Sequence, residues 1–460
     1  MPKSKVGDAD SREAVSTAAS GALRAIPSVE RILSSETVKP LIAEYGRPGV
    51  KAAIAGHLDA LRASREPWTN AAGAIALRER LALASGSTLR RAINATGVII
   101  HTNLGRSPID DGLWAEASEI VTGYSNLELD LESGERGRRD EHLAAICHSL
   151  FGCEAALLAN NNAAATLLLL AAVASKKEVL VSRGELVEIG GSFRVPDVIQ
   201  QGGARLREVG TTNRTRARDY ADAASRKTAA ILRVHRSNFE IVGFTETPTI
   251  EELVEVAHAR KLPLLFDEGS GRVVDLAKYG FSPHATIRDH IATGVDVLTC
   301  STDKLIGATQ GGLILGRREI IERCRRHPLM RALRAGKESY AIIASTLRAF
   351  LAEKHEERIP IYRMLALSTD ELRARAASLV DGTNCRSVDA RCVLGGGTTP
   401  TETIPSTAVE VPGNANAYHQ RFLHNDPPIV GRIEDDRFLF DVRTLLPVDL
   451  ADVKTALQKR

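Results

Sequence analysis

The 460-residue sequence predicts an α/β fold with a mostly parallel central sheet flanked by helices. From Ala155 onward, short apolar runs alternate with helical stretches, which is typical of doubly wound domains. Two of these runs, Leu262–Phe266 and Val295–Cys300, have the length and composition of strands buried on both faces. Each run leads into polar residues at the carboxyl end of a strand, where open α/β sheets place their ligands.

Composition narrows the classes of function. With 43% hydrophobic and 25% charged residues, the chain can build two or three domains with substantial cores. A formal net charge of +3 does not by itself indicate a nucleic-acid partner, although a local basic patch can hold a large acidic RNA. The six cysteines form no C-x-x-C pair and have no histidines at zinc-ligand spacing, so we predict reduced thiols and no metal site. A polar start and the lack of a bilayer-length apolar run predict a soluble, cytoplasmic protein.

The chain before the sheet is predicted to form a small helical domain over residues 1–68. Met1–Ser20 shows little apolar periodicity and predicts a mobile start. Apolar residues then recur at helical spacing in three stretches: Ile26–Leu33, Val38–Tyr45 and Val50–Ala63. A further helix, Asn70–Ala84, is expected within a linker over residues 69–92. A helical unit of this kind can also be a dimerisation or lid element, and its charge does not exclude that alternative.

Residues 93–336 are predicted to form a large domain and residues 337–460 a smaller α+β domain. Besides the two buried runs, the expected strands of the large domain are Val98–Ile100, Ala155–Ala159, Val179–Ser182, Ala204–Val209, Ala229–Val234 and Gly311–Gly316. Past Met330 the pattern changes to long helices, at Glu338–Lys354 and around Tyr362–Val380. Near the end of the chain, Asp435-Asp436 is predicted to be the turn of a β-hairpin.

Lys304 and Asp267 are the strongest candidates for a reactive site, because each lies just past the end of a predicted buried strand. A lysine amine there can form a Schiff base, and an aspartate can pair with a pyridinium nitrogen and keep it protonated. Ser301, three residues before Lys304, can reach a phosphate. The three residues together predict a pyridoxal 5′-phosphate (PLP) site. An ordinary ion pair between Asp267 and Lys304 remains the alternative at this point.

Further residues indicate anion binding. The run Asn160-Asn161-Asn162 opens a helix whose free backbone N–H groups can cradle a phosphate, with simple capping by asparagine as the alternative. Arg106 lies in a polar loop, where a guanidinium can bind an anion through two hydrogen bonds. Arg331 and Arg334 are spaced to share one helix face, which a solvated helix also explains. The loop Ser182–Asp197 mixes charges and glycines without a regular period, which favours a functional loop.

The order of these segments resembles the bacterial selenocysteine synthase family, the L-seryl-tRNA(Sec) selenium transferases. The resemblance covers essentially the whole chain and rests on Ile26–Leu33, Asn94–Arg106, Asn160–Ala165, Ser182–Asp197, His235–Phe239, Asp267–Gly271, Asp303–Lys304 and Pro427–Asp436. It implies a PLP-dependent transferase of fold type I, with a small helical N-terminal domain and an α+β C-terminal domain. The helical domain resembles the family's tRNA-binding domain.

The resemblance also implies roles for residues at the cofactor. Lys304 is expected to hold PLP as a Schiff base, Asp267 to contact the pyridine nitrogen, and Asp303 to be an active-site acid. The other residues expected to bind the cofactor are Ser301, Asn160, Asn161, Asn162 and His235.

For the second substrate, the resemblance implies a site at a subunit interface. Arg106, Arg331 and Arg334 match arginines that bind the anionic selenium donor. The bacterial enzymes assemble as rings of dimers, which implies a homo-oligomer, by resemblance a decamer.

The expected activity is conversion of seryl-tRNA(Sec) to selenocysteinyl-tRNA(Sec), by β-elimination to dehydroalanyl-tRNA and addition of selenium from selenophosphate. In this hypothesis the desolvated amine of Lys304 removes the α-proton. Two alternatives stay open. A related PLP-dependent lyase or aldolase would act on a small phosphorylated amino acid or sugar acid and has no evident use for the helical domain. A catalytically dead tRNA-binding protein would not need intact Asp267, Ser301 and Lys304.

Overall fold

The computed structural model describes residues 27–64, 68–85, 88–189, 193–399 and 401–459. The chain divides into two compact units, residues 1–91 and 92–460. The expected mobile start at Met1–Ser20 lies outside the described residues. Among the described helices, none has both the length and the apolar character that crossing a membrane requires.

The smaller unit is helical, as predicted. Its described helices are α1 (Val29–Leu33), α2 (Lys39–Tyr45), α3 (Arg47–Ser64) and α4 (Asn70–Ser85). Pro48 was expected to break the pattern but lies in the first turn of α3, where its missing N–H removes no hydrogen bond. Helix α4 was expected within a linker, yet Leu77 and Leu81 bury their side chains in the same core as residues of the first three helices. The helical unit therefore includes α4.

The larger unit contains all fifteen strands assigned in the described residues. They are β1 (Ile93–Asn94), β2 (Ala155–Ala159), β3 (Glu178–Ser182), β4 (Glu188–Ile189), β5 (Phe193–Arg194), β6 (Arg205–Val209), β7 (Thr228–Val234), β8 (Leu264–Gly269), β9 (Val297–Ser301), β10 (Gly312–Gly316), β11 (Arg386–Val393), β12 (Thr403–Val411), β13 (Ile429–Val430), β14 (Arg432–Glu434) and β15 (Arg437–Asp441).

The larger unit also contains fifteen α-helices among its described residues. They are α5 (Asp111–Thr122), α6 (Glu141–Phe151), α7 (Asn162–Ala174), α8 (Val195–Gln201), α9 (Ala217–Ala223), α10 (Ile250–Ala259), α11 (Ile287–Thr293), α12 (Arg318–Arg326), α13 (Leu329–Leu333), α14 (Lys337–Leu351), α15 (His355–Arg358), α16 (Pro360–Ala366), α17 (Thr369–Val380), α18 (Ala415–Leu423) and α19 (Leu450–Gln458).

The central sheet has seven strands in the order β2-β10-β9-β8-β7-β3-β6. The pairs β9–β8, β8–β7, β7–β3 and β3–β6 are parallel, and β10 runs antiparallel to both of its neighbours. Two large apolar clusters lie in this unit, and residues of β8 and β9 alternate between them. Burial on both faces explains why these strands read as continuous apolar runs. The predicted α/β architecture is confirmed.

A second, antiparallel sheet of four strands, β11-β12-β15-β14, forms the C-terminal part. The predicted hairpin joins β14 to β15, and Asp435 and Asp436 have φ values of 50° and 59°. Two consecutive residues with positive φ form the tight turn that matches the strand twist. Strand β1 pairs with β13, and α14 packs on α5 and α6, so contacts cross the expected division at residue 336.

Three local predictions are wrong. Residues 98–100 are not a strand, because Val98 forms only an isolated bridge with Val393. The expected helix around Tyr362–Val380 is two helices, because Ser368 ends the extended link after α16 and caps α17 in a reciprocal capping box with Glu371. Arg334 does not share a helix face with Arg331, since α13 ends at Leu333 and Arg334 bridges to Ala159 in an extended conformation.

Candidate active site

Lys304 lies in the turn that follows β9 and is 7% exposed. Its Nζ donates one hydrogen bond within the described residues, to the Gly397 carbonyl oxygen at 3.4 Å. Burial and the nearby Arg106 guanidinium lower the pKa of Lys304, against the opposing charges of Asp267, Glu268 and Asp303. Because an uncharged amine is the nucleophilic and basic form, this environment favours reactive chemistry over an ordinary ion pair.

Asp267 lies on β8, next to the strand that leads to Lys304. Its register partner on β9 is Thr299, whose hydroxyl donates to Oδ1 at 3.2 Å, and Asn162 Nδ2 donates to the same oxygen at 2.7 Å. Oδ2 accepts no hydrogen bond from the described residues. Burial raises the pKa of the Asp267 carboxyl, and the Asn162 bond and the Lys304 charge oppose that rise. The carboxyl is thus positioned by two donors and keeps one oxygen for a further partner.

The three asparagines have different roles. Asn161 caps α7, since its side chain accepts from the Ala164 N–H at 2.8 Å, which is the capping alternative. Asn162 instead positions Asp267. The Asn160 backbone N–H donates to Leu333 O at 2.8 Å and so ties α13 to the end of β2. The run therefore combines a helix cap with a positioning contact at the carboxyl ends of the strands.

Ser301 ends β9 beside the start of α7. Its strand partner Gly312 passes so close to Asn161 that a Cβ on Gly312 would lie 2.2 Å from the Asn161 carbonyl oxygen. Gly269 has a φ of 68°, and a Cβ there would meet nothing closer than Asn162 and Asp267, both at 3.8 Å. The glycines thus bring the helix start near Ser301 and leave room above Asp267.

Arg106 and Asp303 form an ion pair next to the lysine. Arg106 Nη1 donates to Asp303 Oδ2 at 2.6 Å, and Asp303 is buried. Its other oxygen, Oδ1, is buried with no hydrogen-bond partner in the described part of the chain. Ser107 Oγ donates to Lys304 O at 2.8 Å, which holds the Arg106 loop against the lysine turn.

Arg331 and Arg334 lie together in a cavity of about 490 Å³. The cavity is lined by further cationic side chains, namely Arg136, Arg138, Arg139, Arg325 and Arg326. Arg334 Nη1 is 3.2 Å from Glu128 Oε1. Arg106 is not among the described lining residues. The structure therefore brings two of the three predicted anion-binding arginines into one basic cavity and places the third beside Asp303.

His235 follows β7 and is held by backbone contacts. Its N–H donates to Asp267 O at 3.0 Å, and its Nδ1 lies 3.1 Å from Glu268 O. Burial, and then the charge of Arg272, lower the pKa of His235 to about 4. The ring is therefore neutral near pH 7 and adjoins the strand that carries Asp267.

A loop that contacts the lysine was not predicted from the sequence. Gly397 comes from the C-terminal part of the chain, and a Cβ there would lie 2.4 Å from Lys304 Nζ. Its N–H donates to Ser237 O at 3.1 Å, which links the loop to the segment of His235. The run Gly395-Gly396-Gly397 was the available signal, since three glycines in succession favour close backbone approach. Thr299 was also missed, because its role depends on strand register.

Known proteins match this chain over almost its full length. The family model "L-seryl-tRNA selenium transferase" matches residues 92–446, and "Selenocysteine synthase N terminal" matches residues 23–62. The L-seryl-tRNA(Sec) selenium transferase of Geobacter sulfurreducens is 45% identical over 453 residues, covering 94% of this chain and 98% of that protein. The protein of the same name from Nitratidesulfovibrio vulgaris is 42% identical, with 95% and 98% covered.

Among solved structures, a D-glucosaminate-6-phosphate ammonia-lyase is similar in fold, with a TM-score of 0.61. It is 21% identical, and the match covers 82% of this chain and 97% of the lyase. This likeness concerns the fold alone. The family models and the close relatives carry the assignment, because they span both the helical unit and the sheet that holds Lys304 and Asp267. On that evidence, the chain belongs to the L-seryl-tRNA(Sec) selenium transferase family.

Proposed function

We propose that this chain converts seryl-tRNA(Sec) to selenocysteinyl-tRNA(Sec), replacing the seryl β-hydroxyl with selenium from selenophosphate, in the cytoplasm. Membership of the family supports the reaction. The observation that carries it is the buried, pKa-lowered Lys304 next to Asp267 at the carboxyl ends of two adjacent parallel strands. Hydroxide is a poor leaving group, so the site must first make the α-hydrogen of the seryl group acidic.

The described residues fit PLP. Lys304 offers an amine for the cofactor aldehyde, and Asp267 offers Oδ2 to a pyridine nitrogen in the space that Gly269 leaves open. The start of α7 and Ser301 offer donors for a phosphate. When bound, PLP supplies the electron sink that makes the α-hydrogen acidic.

We assign the proton transfer at the seryl α-carbon to Lys304 Nζ. The amine can take a proton because burial and Arg106 disfavour its charged form. Gly397 O accepts from Nζ and limits where the amine can point. Asp303 holds Arg106 through Oδ2, and its Oδ1, which has no partner among the described residues, can accept a hydrogen bond beside the lysine.

Asp267 is assigned to the pyridine nitrogen. Because burial raises its pKa, its carboxylate binds a proton more strongly than a solvated aspartate does. Asn162 and Thr299 fix Oδ1, so that Oδ2 faces the remaining partner. His235 supports the same strand from the neighbouring segment, and its neutral ring adds no charge next to Asp267.

Selenophosphate is assigned to the basic cavity that contains Arg331 and Arg334. Guanidinium groups bind phosphate-like anions through paired hydrogen bonds, and this cavity concentrates several of them. Arg106 is proposed to complete the site across a subunit interface.

We further propose a homo-oligomer, a ring of dimers. Large apolar side chains stay exposed within one stretch of chain: Trp114, Ile120, Tyr124, Leu129 and Leu131. Exposed apolar surface of this kind marks association sites. Light scattering of the full chain should give a mass several times 49.6 kDa, and a mass of one chain would contradict the proposal.

The direct test of the reaction uses purified protein, PLP, seryl-tRNA(Sec) and selenophosphate. Mass spectrometry of the amino acid released from the tRNA should reveal selenocysteine. Serine esterified to tRNA(Ser) is the matched control and should stay serine. If the protein instead deaminates a small phosphorylated amino acid and leaves seryl-tRNA(Sec) unchanged, the lyase alternative replaces this proposal.

A further inference from the structure

A second cavity of about 360 Å³ adjoins the lysine site. Its lining includes His235, Thr398 and Thr399. The His235 N–H donates a hydrogen bond to Asp267 O. Thr398 is the next residue after Gly397, whose carbonyl oxygen accepts from Lys304 Nζ. The cavity is therefore placed to hold the part of a substrate that extends beyond the group bound at Lys304.

Arg272 lies in this cavity as a buried cation that forms no ion pair with any described residue. It is 4% exposed, and its guanidinium donates no hydrogen bond to any described residue. Its backbone is fixed, because Arg272 O accepts from Ile287 N–H at 2.9 Å. A guanidinium has five N–H donors, and burying it unpaired is costly, so a built site of this kind calls for an anion.

The three acids that line the cavity, Glu240, Glu268 and Glu402, each have other hydrogen-bond partners. Glu240 Oε2 accepts from Thr401 Oγ1 at 3.1 Å. Both oxygens of Glu268 accept from its own turn, from Ser270 Oγ and the Gly271 N–H. The oxygens of Glu402 accept from the Ser282 N–H at 2.6 Å and contact His284 at 2.8 Å. None of these carboxylates forms an ion pair with Arg272 in the described structure. Glu268 and Glu402 therefore offset the charge of Arg272 only through space, and the guanidinium N–H groups stay available to a ligand.

The other lining groups suit a nucleotide. Arg236 is half-buried and donates only to Thr247 Oγ1, at 3.3 Å, within the described residues, so it can add a second positive charge. Thr399 Oγ1 is buried without a partner in the described part of the chain and can hydrogen-bond to a phosphate or a ribose. Phe239 and Ile250 add apolar lining that fits the face of a base. The volume is that of a small-molecule site.

We propose that this cavity binds the 3′-terminal nucleotide of the aminoacylated RNA, with Arg272 on its 5′-phosphodiester. The inference rests on the proposed function, because only an RNA-linked seryl group carries a nucleotide next to the ester. The seryl carbonyl is joined to the terminal ribose, and that ribose carries the phosphodiester. A seryl group at Lys304 thus directs a phosphate towards Arg272.

The test compares two stable analogues, 3′-serylamido-3′-deoxyadenosine with and without a 5′-phosphate. Isothermal titration of the PLP-loaded full chain should give a Kd on the order of tenfold lower for the phosphorylated analogue, as expected for a charge-assisted contact. Arg272→Gln should abolish most of that gain and keep the affinity for the unphosphorylated analogue. Arg207→Gln, which removes an exposed arginine on β6, is the matched control and should keep the gain.

Equal affinities of the wild-type chain for the two analogues would overturn the inference, even if Arg272→Gln failed to fold. So would a full phosphate gain in folded Arg272→Gln, or binding of inorganic phosphate alone as tightly as the phosphorylated analogue. The proposed function is tested separately. If the wild-type chain converts seryl-tRNA(Sec) but shows no phosphate gain, only the proposal for this site is wrong. If the wild-type chain does not convert seryl-tRNA(Sec), the proposed function is wrong.

Discussion

At the scale of single residues, the chemistry depends on how Lys304 and Asp267 are buried. Burial alone pushes both side chains towards their neutral forms, the lysine by a lowered pKa and the aspartate by a raised one. Their mutual attraction opposes this, but burial is the larger effect for each group. A simple structural ion pair would keep both charges, so the observed balance favours a reactive amine next to a proton-binding carboxylate.

Replacing Asp267 by asparagine should leave cofactor binding largely intact and remove most of the turnover. An amide cannot keep a pyridine nitrogen protonated, so we expect a loss of about 3 kcal/mol or more in kcat/KM. Thr299→Val, which removes the weaker bond to Oδ1 and the contact with Thr166 Oγ1, should lose about 1 kcal/mol. The measurement is steady-state kinetics alongside the visible spectrum. Near-normal turnover of Asp267→Asn would show that another group contacts the nitrogen.

His235 should make the cofactor-free protein sensitive to acid. Its pKa is about 4 in the folded chain against the ordinary value of 6.5, so the unfolded state binds an extra proton between these two pH values. Stability therefore falls as pH drops through that window, by about 2 kcal/mol between pH 7 and pH 5 from this residue. Urea unfolding should reveal a smaller loss for His235→Asn. The exposed His424→Asn is the control and should lose stability as the wild type does.

The residues that sequence analysis identified share a local signal, and those it missed do not. Lys304 and Asp267 were predictable, because each follows an apolar run that becomes a buried strand. Thr299 and Gly397 were not, because their roles depend on strand register and on a contact between residues 93 positions apart. The sequence does not distinguish Asn161, which caps α7, from Asn162, which positions Asp267, because the difference depends on where α7 begins.

At the scale of elements, α13 and the segment after it form the wall of the basic cavity. The bridge between Arg334 and Ala159 and the bond from Asn160 N–H to Leu333 O hold this segment at the end of β2. The spacing of Arg331 and Arg334 predicted that both lie on one helix face. Arg334 instead has an extended backbone, because it pairs with the edge strand β2. Strands buried on both faces were predicted within three residues at each end, because their apolar composition is decisive. The sequence did not predict the short extended link at Leu367–Ser368, because helical apolar periodicity is present on both sides of it.

Arg331→Ala and Arg334→Ala should each impair the use of selenophosphate and spare seryl-tRNA binding. Each substitution removes a charge-assisted contact to an anion, worth about 1.5–3 kcal/mol. The KM for selenophosphate should rise accordingly, while the Kd for seryl-tRNA(Sec), measured by filter binding, should stay within a factor of two or so. Arg373→Ala, on the exposed side of α17, is the control. An unchanged KM in both cavity variants would place the selenium donor elsewhere.

At the scale of the whole molecule, the helical unit and the sheet-containing unit have separate cores. The family model for the N-terminal part covers residues 23–62 of the helical unit, and we propose that this unit recognises the tRNA. The helical periodicity of the sequence predicts this unit, but the predicted end at residue 68 is too early. Helix α4 was interpreted as part of a linker, whereas its Leu77 and Leu81 lie in the core of the unit.

A chain that begins at Ala92 should therefore bind PLP and lose most of its affinity for tRNA. Truncation at this point removes α4 together with the core it packs in, so the helical unit is removed as a whole. The comparison is the Kd for tRNA(Sec) of the truncated and full chains, with the cofactor absorbance as a check on folding. Equal affinities would assign tRNA recognition to the larger unit and contradict this prediction.

The central claim is that Lys304 carries the cofactor and the proton transfer, and borohydride reduction followed by peptide mass spectrometry tests it most directly. Reduction of the PLP-loaded protein should fix a phosphopyridoxyl group on the peptide containing Lys304, and Lys304→Ala should carry none and form no selenocysteinyl-tRNA(Sec). Lys278→Ala, which changes an exposed lysine, should behave as the wild type does. A reduced cofactor on any other lysine of the wild-type chain, or selenium transfer by Lys304→Ala, would contradict the account.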